Sequence, residues 1–220
     1  MNFPPDLVIF DCDGVLVDSE PVTNVVIQDN LARHGLEISL ERIVDLFVGG
    51  TMAGVMSTAR EMGAKLPNDW LDSIYSEMFE ALEAGVDLVP GVVGVLDALD
   101  AAGIGYAVGS NGPHRKMEIT LTRTGLRQRL DGQIYSREDV AQPKPAPDVY
   151  LKAAAEAGVS PDRCVVVEDS ASGARAGKAA GMYCLGYVAE TDPERLAPIC
   201  DALFQSMDDL PGMLNLRALA

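Results

Sequence analysis

Leu7-Val8-Ile9-Phe10-Asp11-Cys12-Asp13-Gly14 decides how this chain is read. Four apolar residues form a short buried strand, in a chain that goes on to alternate strands and helices. The strand runs straight into two aspartates and a glycine. Open α/β sheets build their sites at the carboxyl ends of such strands. Residues two apart on an extended segment face the same side, so Asp11 and Asp13 converge on one point. Two carboxylates that close repel each other unless a cation or a shared proton intervenes. A hard cation such as Mg²⁺ is the natural remedy, and it usually brings a phosphate ligand. Gly14 permits a sharp turn and a close backbone approach. The same two aspartates would also suit a strand cap or the start of a turn. The rest of the chain has to decide.

The 220 residues fit one large domain, or a core carrying a smaller insert. Lysine and arginine total 17 against 33 acids, a net charge of −16, which argues against nucleic acid and anionic membranes as partners. An anionic substrate therefore needs local positive charge, from a metal or a few placed lysines. Cys12, Cys164, Cys184 and Cys200 lie far apart in sequence, without zinc-type spacing, and read as small buried thiols in a reducing cytosol. Cys12 is also a candidate nucleophile, but its anionic neighbours disfavour a thiolate. No signal peptide and no membrane-spanning stretch is read, which points to the cytoplasm.

Residues 21–84 carry helical spacing and no strand signal. Pro21 opens a first helix that ends near Gly35. Ser39, Thr51 and Asn68 or Asp69 cap three more, broken by Gly49-Gly50, Gly63 and Gly85. The methionines here read as core filler. A purely helical block after the first strand of an α/β chain indicates an inserted domain. Beyond Pro90-Gly91, strands at 104–109, 133–136, 164–167, 182–185 and Ala202–Phe204 alternate with helices. That order implies a parallel sheet, wound with helices on both faces.

Three strands end in polar residues on the expected rim: Asp11/Asp13, Ser110-Asn111 and Glu168-Asp169. Lys144 sits on the same side, in the stiff loop Gln142-Pro143-Lys144-Pro145-Ala146-Pro147. That inventory suits phosphoryl transfer. One carboxylate can attack phosphorus, and a second can protonate the leaving oxygen and then activate water. A hydroxyl, backbone N–H groups and an ammonium can hold the phosphoryl oxygens. Each piece also has a plainer reading: Ser110-Asn111 as a turn, Lys144 as a surface lysine, Glu168-Asp169 as an N-cap pair. The signal lies in their order, each after a strand.

Taken together, Asp11-Cys12-Asp13-Gly14-Val15-Leu16-Val17-Asp18-Ser19-Glu20, Ser110-Asn111-Gly112, Lys144-Pro145 and Glu168-Asp169-Ser170 with Gly173 resemble the haloacid dehalogenase-like hydrolases. The likeness is to the subgroup with a helical cap, which includes β-phosphoglucomutase and sugar-phosphate phosphatases, and it covers nearly the whole chain. It implies a doubly wound, Rossmann-like α/β core at 1–17 and 86–220, with an all-α cap inserted at 18–85. The cap would close through hinges near Val17 and Gly85. The resemblance implies Asp11 as nucleophile and Asp13 as general acid/base. It implies phosphoryl contacts from Gly14, Ser110, Asn111, Gly112 and Lys144. It implies Mg²⁺ held by Asp11, the Asp13 carbonyl and Asp169, with Glu168 at or just outside the coordination shell.

Members that dehalogenate differ at the Asp13 position and use no Mg²⁺, so the carboxyl there implies a phosphatase acting on a small phosphorylated metabolite. β-Phosphoglucomutase carries a histidine where Thr23 stands, and an arginine where this chain has Gly49-Gly50-Thr51-Met52; both departures argue against the mutase alternative. A non-enzymatic receiver-like phospho-acceptor is the distant alternative, disfavoured by chain length and by the helical insert. Residues 110–117 are similar to the matching stretch of bacterial 6-phosphogluconate phosphatases. Arg115 and Lys116 read either as contacts for a sugar carboxylate, which the cap loop has no lysine or arginine to bind, or as a solvated basic helix start; His34 and His114 read as surface residues. A monomer with no obligate partner is expected.

Overall fold

The computed structural model describes residues 4–47 and 51–216. The Gly49-Gly50 break lies outside the described residues. Six strands form one sheet: β1 Leu7–Phe10, β4 Gly105–Ser110, β5 Ile134–Ser136, β6 Cys164–Glu168, β7 Tyr183–Tyr187 and β8 Ala202–Phe204. Their order is β5-β4-β1-β6-β7-β8, and every pairing is parallel. Leu7, Ile9, Ala107, Val166 and Cys184 join one core cluster with residues of helices α7 (Asp148–Glu156) and α8 (Ala171–Ala179). The alternate residues Val8, Phe10, Val108, Val165 and Val167 are equally buried. Both faces of the sheet are therefore covered, and this is why these strands read as apolar runs rather than as alternating ones. Helices α5 (Val92–Ala102) and α6 (His114–Arg123) complete the larger elements of this α/β unit.

The chain folds as two compact units. One unit ends at Val17 and resumes at Leu88; the other runs from Asp18 to Asp87. Each crossing coincides with a two-residue strand, β2 Val17–Asp18 and β3 Asp87–Leu88, and these two pair with each other. Both are too short to leave a periodic signal. The second unit holds α1 Glu20–Arg33, α2 Leu40–Phe47, α3 Met52–Glu61 and α4 Trp70–Ala84. Thr51 caps α3 by accepting from the Gly54 N–H. Ile27, Leu31, Ile43, Val55, Ala59, Trp70, Ile74 and Met78 make its core. The apolar stripe is narrower than the spacing predicts: Val25, Leu40, Val44 and Met62 are exposed. In the α/β unit, Cys184 and Cys200 come together, with their sulfurs 3.8 Å apart. Among the described residues no helix is long and apolar enough to cross a membrane.

Inside the helical unit the indole N–H of Trp70 donates to Asn30 Oδ1 at 2.6 Å, and Asn30 Nδ2 donates to Glu77. Both Trp70 and Asn30 are buried. Asn30→Ala leaves a buried donor unpaired and should destabilise by about 1–3 kcal/mol. Arg33→Ala, which removes an ion pair with Glu77 at the surface, should change stability by about 1 kcal/mol or less. Urea unfolding followed through Trp70, the chain's single tryptophan, measures both. Equal effects would contradict the buried network.

Candidate active site

From β1 the chain crosses to β4 and β5 on one side, then returns to β6 on the other. The carboxyl end of β1 is thus the point where strand order reverses, and connecting loops part there to leave a crevice. Asp11 follows the last residue of β1, with its N–H donated to Val167 O of β6. Ser110 and Glu168 end the two flanking strands.

The centre is a buried lysine. Lys144 Nζ donates to Asp11 Oδ1 at 2.7 Å and to Glu168 Oε1 at 2.6 Å. The Lys144 side chain is only 3% exposed, and that of Glu168 is fully buried. Asn111 holds the lysine's backbone from both sides. Its Oδ1 accepts from the Lys144 N–H at 2.8 Å, and its Nδ2 donates to the Lys144 carbonyl at 3.2 Å. Tyr150 from α7 donates its hydroxyl to Glu168 Oε1 at 2.8 Å, and Lys144 Nζ lies 4.6 Å from the ring centroid. Gly109 makes room for that ring: a Cβ there would come within 3.1 Å of it. The Ser170 N–H and hydroxyl donate to Glu168 Oε2. Glu168 therefore accepts four hydrogen bonds, and a carboxylate offers about four acceptor positions. It is committed to holding Lys144.

Burial pushes the Asp11 carboxyl up to about 7; Lys144 opposes the rise, while Glu168 and Asp13 reinforce it. Burial alone would lower the Lys144 ammonium, but Asp11 and Glu168 outweigh it and raise it. The Cys12 thiol is fully buried, and burial followed by the charges of Asp13 and Asp11 drives it well above the usual range. A thiol held protonated is a poor nucleophile, so Cys12 is a small core residue.

Residues 12–17 turn tightly, the Gly14 N–H donating to Val17 O and the Val17 N–H to Cys12 O. Gly14 has φ +73°, and a Cβ on it would stand 2.0 Å from Asp169 Oδ2. Only glycine fits there. At Gly173 a Cβ would meet Glu168 Oε1 at 1.5 Å. Ser110 is buried, and its Oγ accepts from the Gly112 N–H at 2.9 Å, which leaves its own proton to donate. Asp13 Oδ1 pairs with Lys116 Nζ at 2.7 Å. Carboxylate oxygens of Asp11, Glu168 and Asp169 lie within 4.8 Å of one another. Four carboxylates (Asp11, Asp13, Glu168, Asp169) face two ammonium groups (Lys144, Lys116), leaving two negative charges in a largely buried place. An all-oxygen donor set with that excess fits a hard divalent cation.

The structure thus gathers the groups the sequence pointed to: Asp11, Asp13, Gly14, Ser110, Asn111, Gly112, Lys144, Glu168 and Asp169. Two residues escape sequence reasoning. Lys116 is not a solvated helix start; it turns in to Asp13, with 13% of its side chain exposed. Tyr150 read as helix core, and nothing local marks its bond to Glu168. His114 is exposed as expected, but its Nε2 lies 2.9 Å from Asp139.

Known proteins resemble this chain over most of its length. A family model described as haloacid dehalogenase-like hydrolase matches residues 5–181. Hexitol phosphatase A of Escherichia coli (strain K12) is 32% identical over 205 residues, covering 92% of this chain and 91% of its own. The 6-phosphogluconate phosphatase of the same organism is 25% identical over 214 residues, covering 96% of each chain. A HAD family hydrolase from Deinococcus radiodurans R1, solved with bound phosphate and sodium, superposes with a TM-score of 0.84. It is 32% identical and covers 100% of both chains.

Replacing Lys144 by methionine leaves two buried carboxylates without their shared cation. Unfolding in urea and EDTA should show a loss of about 3–5 kcal/mol. Gly173→Ala forces the Glu168 carboxylate aside and should cost about 1–3 kcal/mol. A Lys144→Met protein as stable as the parent would show that the bridge is not what holds these strand ends.

Proposed function

This chain belongs to the haloacid dehalogenase-like hydrolases, and we propose that within them it is a Mg²⁺-dependent phosphatase of a small sugar, sugar-acid or hexitol phosphate, working through an aspartyl phosphate on Asp11. It is a phosphoric monoester hydrolase, like the relatives just described. The observation that carries the finer reading is the buried Asp11 carboxylate, held beside the Lys144 ammonium at 2.7 Å, with a second carboxyl two residues on.

In this reading an Asp11 oxygen attacks phosphorus while the bond to the leaving oxygen breaks. Asp13, which takes up a proton as the anionic ester binds, gives it to that oxygen. The Lys144 ammonium, the Ser110 hydroxyl and the backbone N–H of Asn111 hold the phosphoryl oxygens, the Gly112 N–H being spent on orienting the Ser110 hydroxyl. Asp13, now a carboxylate, takes a proton from water, whose oxygen attacks the phosphoryl group and frees Asp11. A divalent ion held by the Asp11 and Asp169 carboxylates and the Asp13 carbonyl would supply charge neutralisation at the phosphoryl oxygens. Glu168 stands behind, its acceptor positions filled by Lys144, Tyr150 and Ser170.

We assign substrate selection to the helical unit. Thr23 supports hydrolysis over mutase chemistry. Its hydroxyl donates to the Ser19 and Glu20 carbonyls of its own helix start, and so offers no base comparable to an imidazole.

Phosphate release should be measured with Mg²⁺ and with EDTA across 6-phosphogluconate, hexose and hexitol 6-phosphates, β-glucose 1-phosphate, glycerol phosphates and phosphoglycolate. Release from a few of these is expected with Mg²⁺ only. Asp11→Asn should lower it by about a thousandfold or more with its unfolding midpoint retained. Mg²⁺ should raise the melting temperature of the parent protein but not of Asp169→Asn. Turnover insensitive to EDTA, or full activity of Asp11→Asn, would sink the proposal. Isomerisation of β-glucose 1-phosphate on adding a sugar bisphosphate, without phosphate release, would mark a mutase instead.

A further inference from the structure

Lys116 has no part in the mechanism above, yet its placement runs against local preference. It lies in the first turn of α6, where the exposed N–H groups of a helix favour an anion over a cation. A lysine there for solubility would face water, as its neighbours His114 and Arg115 do. Lys116 instead turns inward, with 13% of its side chain exposed and its ammonium 2.7 Å from Asp13 Oδ1. The helix fixes that direction. Met117, Thr120 and Leu121 form the buried face of α6, and Lys116 lies one turn before Thr120 on the same side. Gly112 forms the floor beneath the pair: a Cβ there would sit 3.6 Å from Asp13 Oδ2 and 3.8 Å from Lys116 Cδ.

We infer that Lys116 is a positioning residue that holds the carboxyl of Asp13 in one rotamer, so that the acid/base meets the leaving oxygen in a fixed place. The inference rests on the reading of Asp13 as acid/base, and deepens it. Proton transfer by a placed group is worth about 10²–10⁴ in rate. A shift of about 1 Å in a reacting group can forfeit a hundredfold.

The test exploits the leaving group. An alkoxide needs a proton as it departs, whereas p-nitrophenolate is stable enough to leave without one. The ratio kcat/KM reports events only up to the first irreversible step, which for both esters is transfer of phosphoryl to the enzyme. With Mg²⁺ present, kcat/KM should be measured for p-nitrophenyl phosphate and for the alkyl phosphate of highest turnover in the panel above. Lys116→Met should lose about tenfold to a hundredfold on the alkyl ester, and that loss should exceed the loss on the aryl ester by at least about tenfold. Lys116→Arg, which keeps a cation in reach of Asp13, should recover most of it. Equal losses on the two esters would assign Lys116 to phosphate binding or to folding, and overturn the inference. So would an alkyl activity left unchanged. Asp13→Asn separates the two levels of the argument. It should show a stronger form of the same ester dependence. Without that dependence the acid/base assignment itself fails; with it, and with none in Lys116→Met, only the role of Lys116 fails.

Discussion

One ammonium group between two buried carboxylates sets the terms for the rest of this site. Lys144 reaches from its loop to Asp11 on the end of β1 and Glu168 on the end of β6. Taking three charged groups out of water is expensive, and their mutual attraction repays it only when geometry and further hydrogen bonds are right. That demand explains the surrounding residues. Asn111 clamps the lysine's backbone, Tyr150 and Ser170 fill the remaining acceptors of Glu168, and Gly173 has no side chain because the carboxylate occupies its space. Such a cluster is a poor device for stability, since apolar residues of the same volume often do as well. It is a good device for fixing where a nucleophile sits.

The sheet makes that cluster possible. Because β4 and β6 flank β1 and all run parallel, three carboxyl ends meet where the chain changes direction. Asp11, Ser110 and Glu168 are brought together by topology alone, although up to 157 sequence positions separate them. The helical unit between Asp18 and Asp87 has its own core around Trp70.

Much of this was legible in the sequence, for identifiable reasons. The strands that carry the site are fully buried, so they read as apolar runs with abrupt polar ends at Asp11, Ser110 and Glu168. Glycines at 14 and 173 stood beside those ends. The misses have equally physical causes. β2 and β3 are two residues long, below any periodicity. Local rules for a basic residue at a helix start offer Lys116 solvent or a substrate, and are blind to a partner 103 positions away. Helical spacing shows that Tyr150 is buried but not that its hydroxyl needs an acceptor. Val25 and Val44 fit the apolar period and yet face water, because period alone does not give the width of a buried stripe.

The central claim is that Asp11 becomes phosphorylated, and the most direct test is to catch it. The enzyme, Mg²⁺ and its best phosphate ester should be mixed and quenched in acid within a single turnover, then digested and mapped by mass spectrometry. The account predicts one phosphoryl group on the peptide that contains Asp11, appearing and decaying on the timescale of turnover. A phosphoryl group on another residue, or none while phosphate is being released, would contradict it.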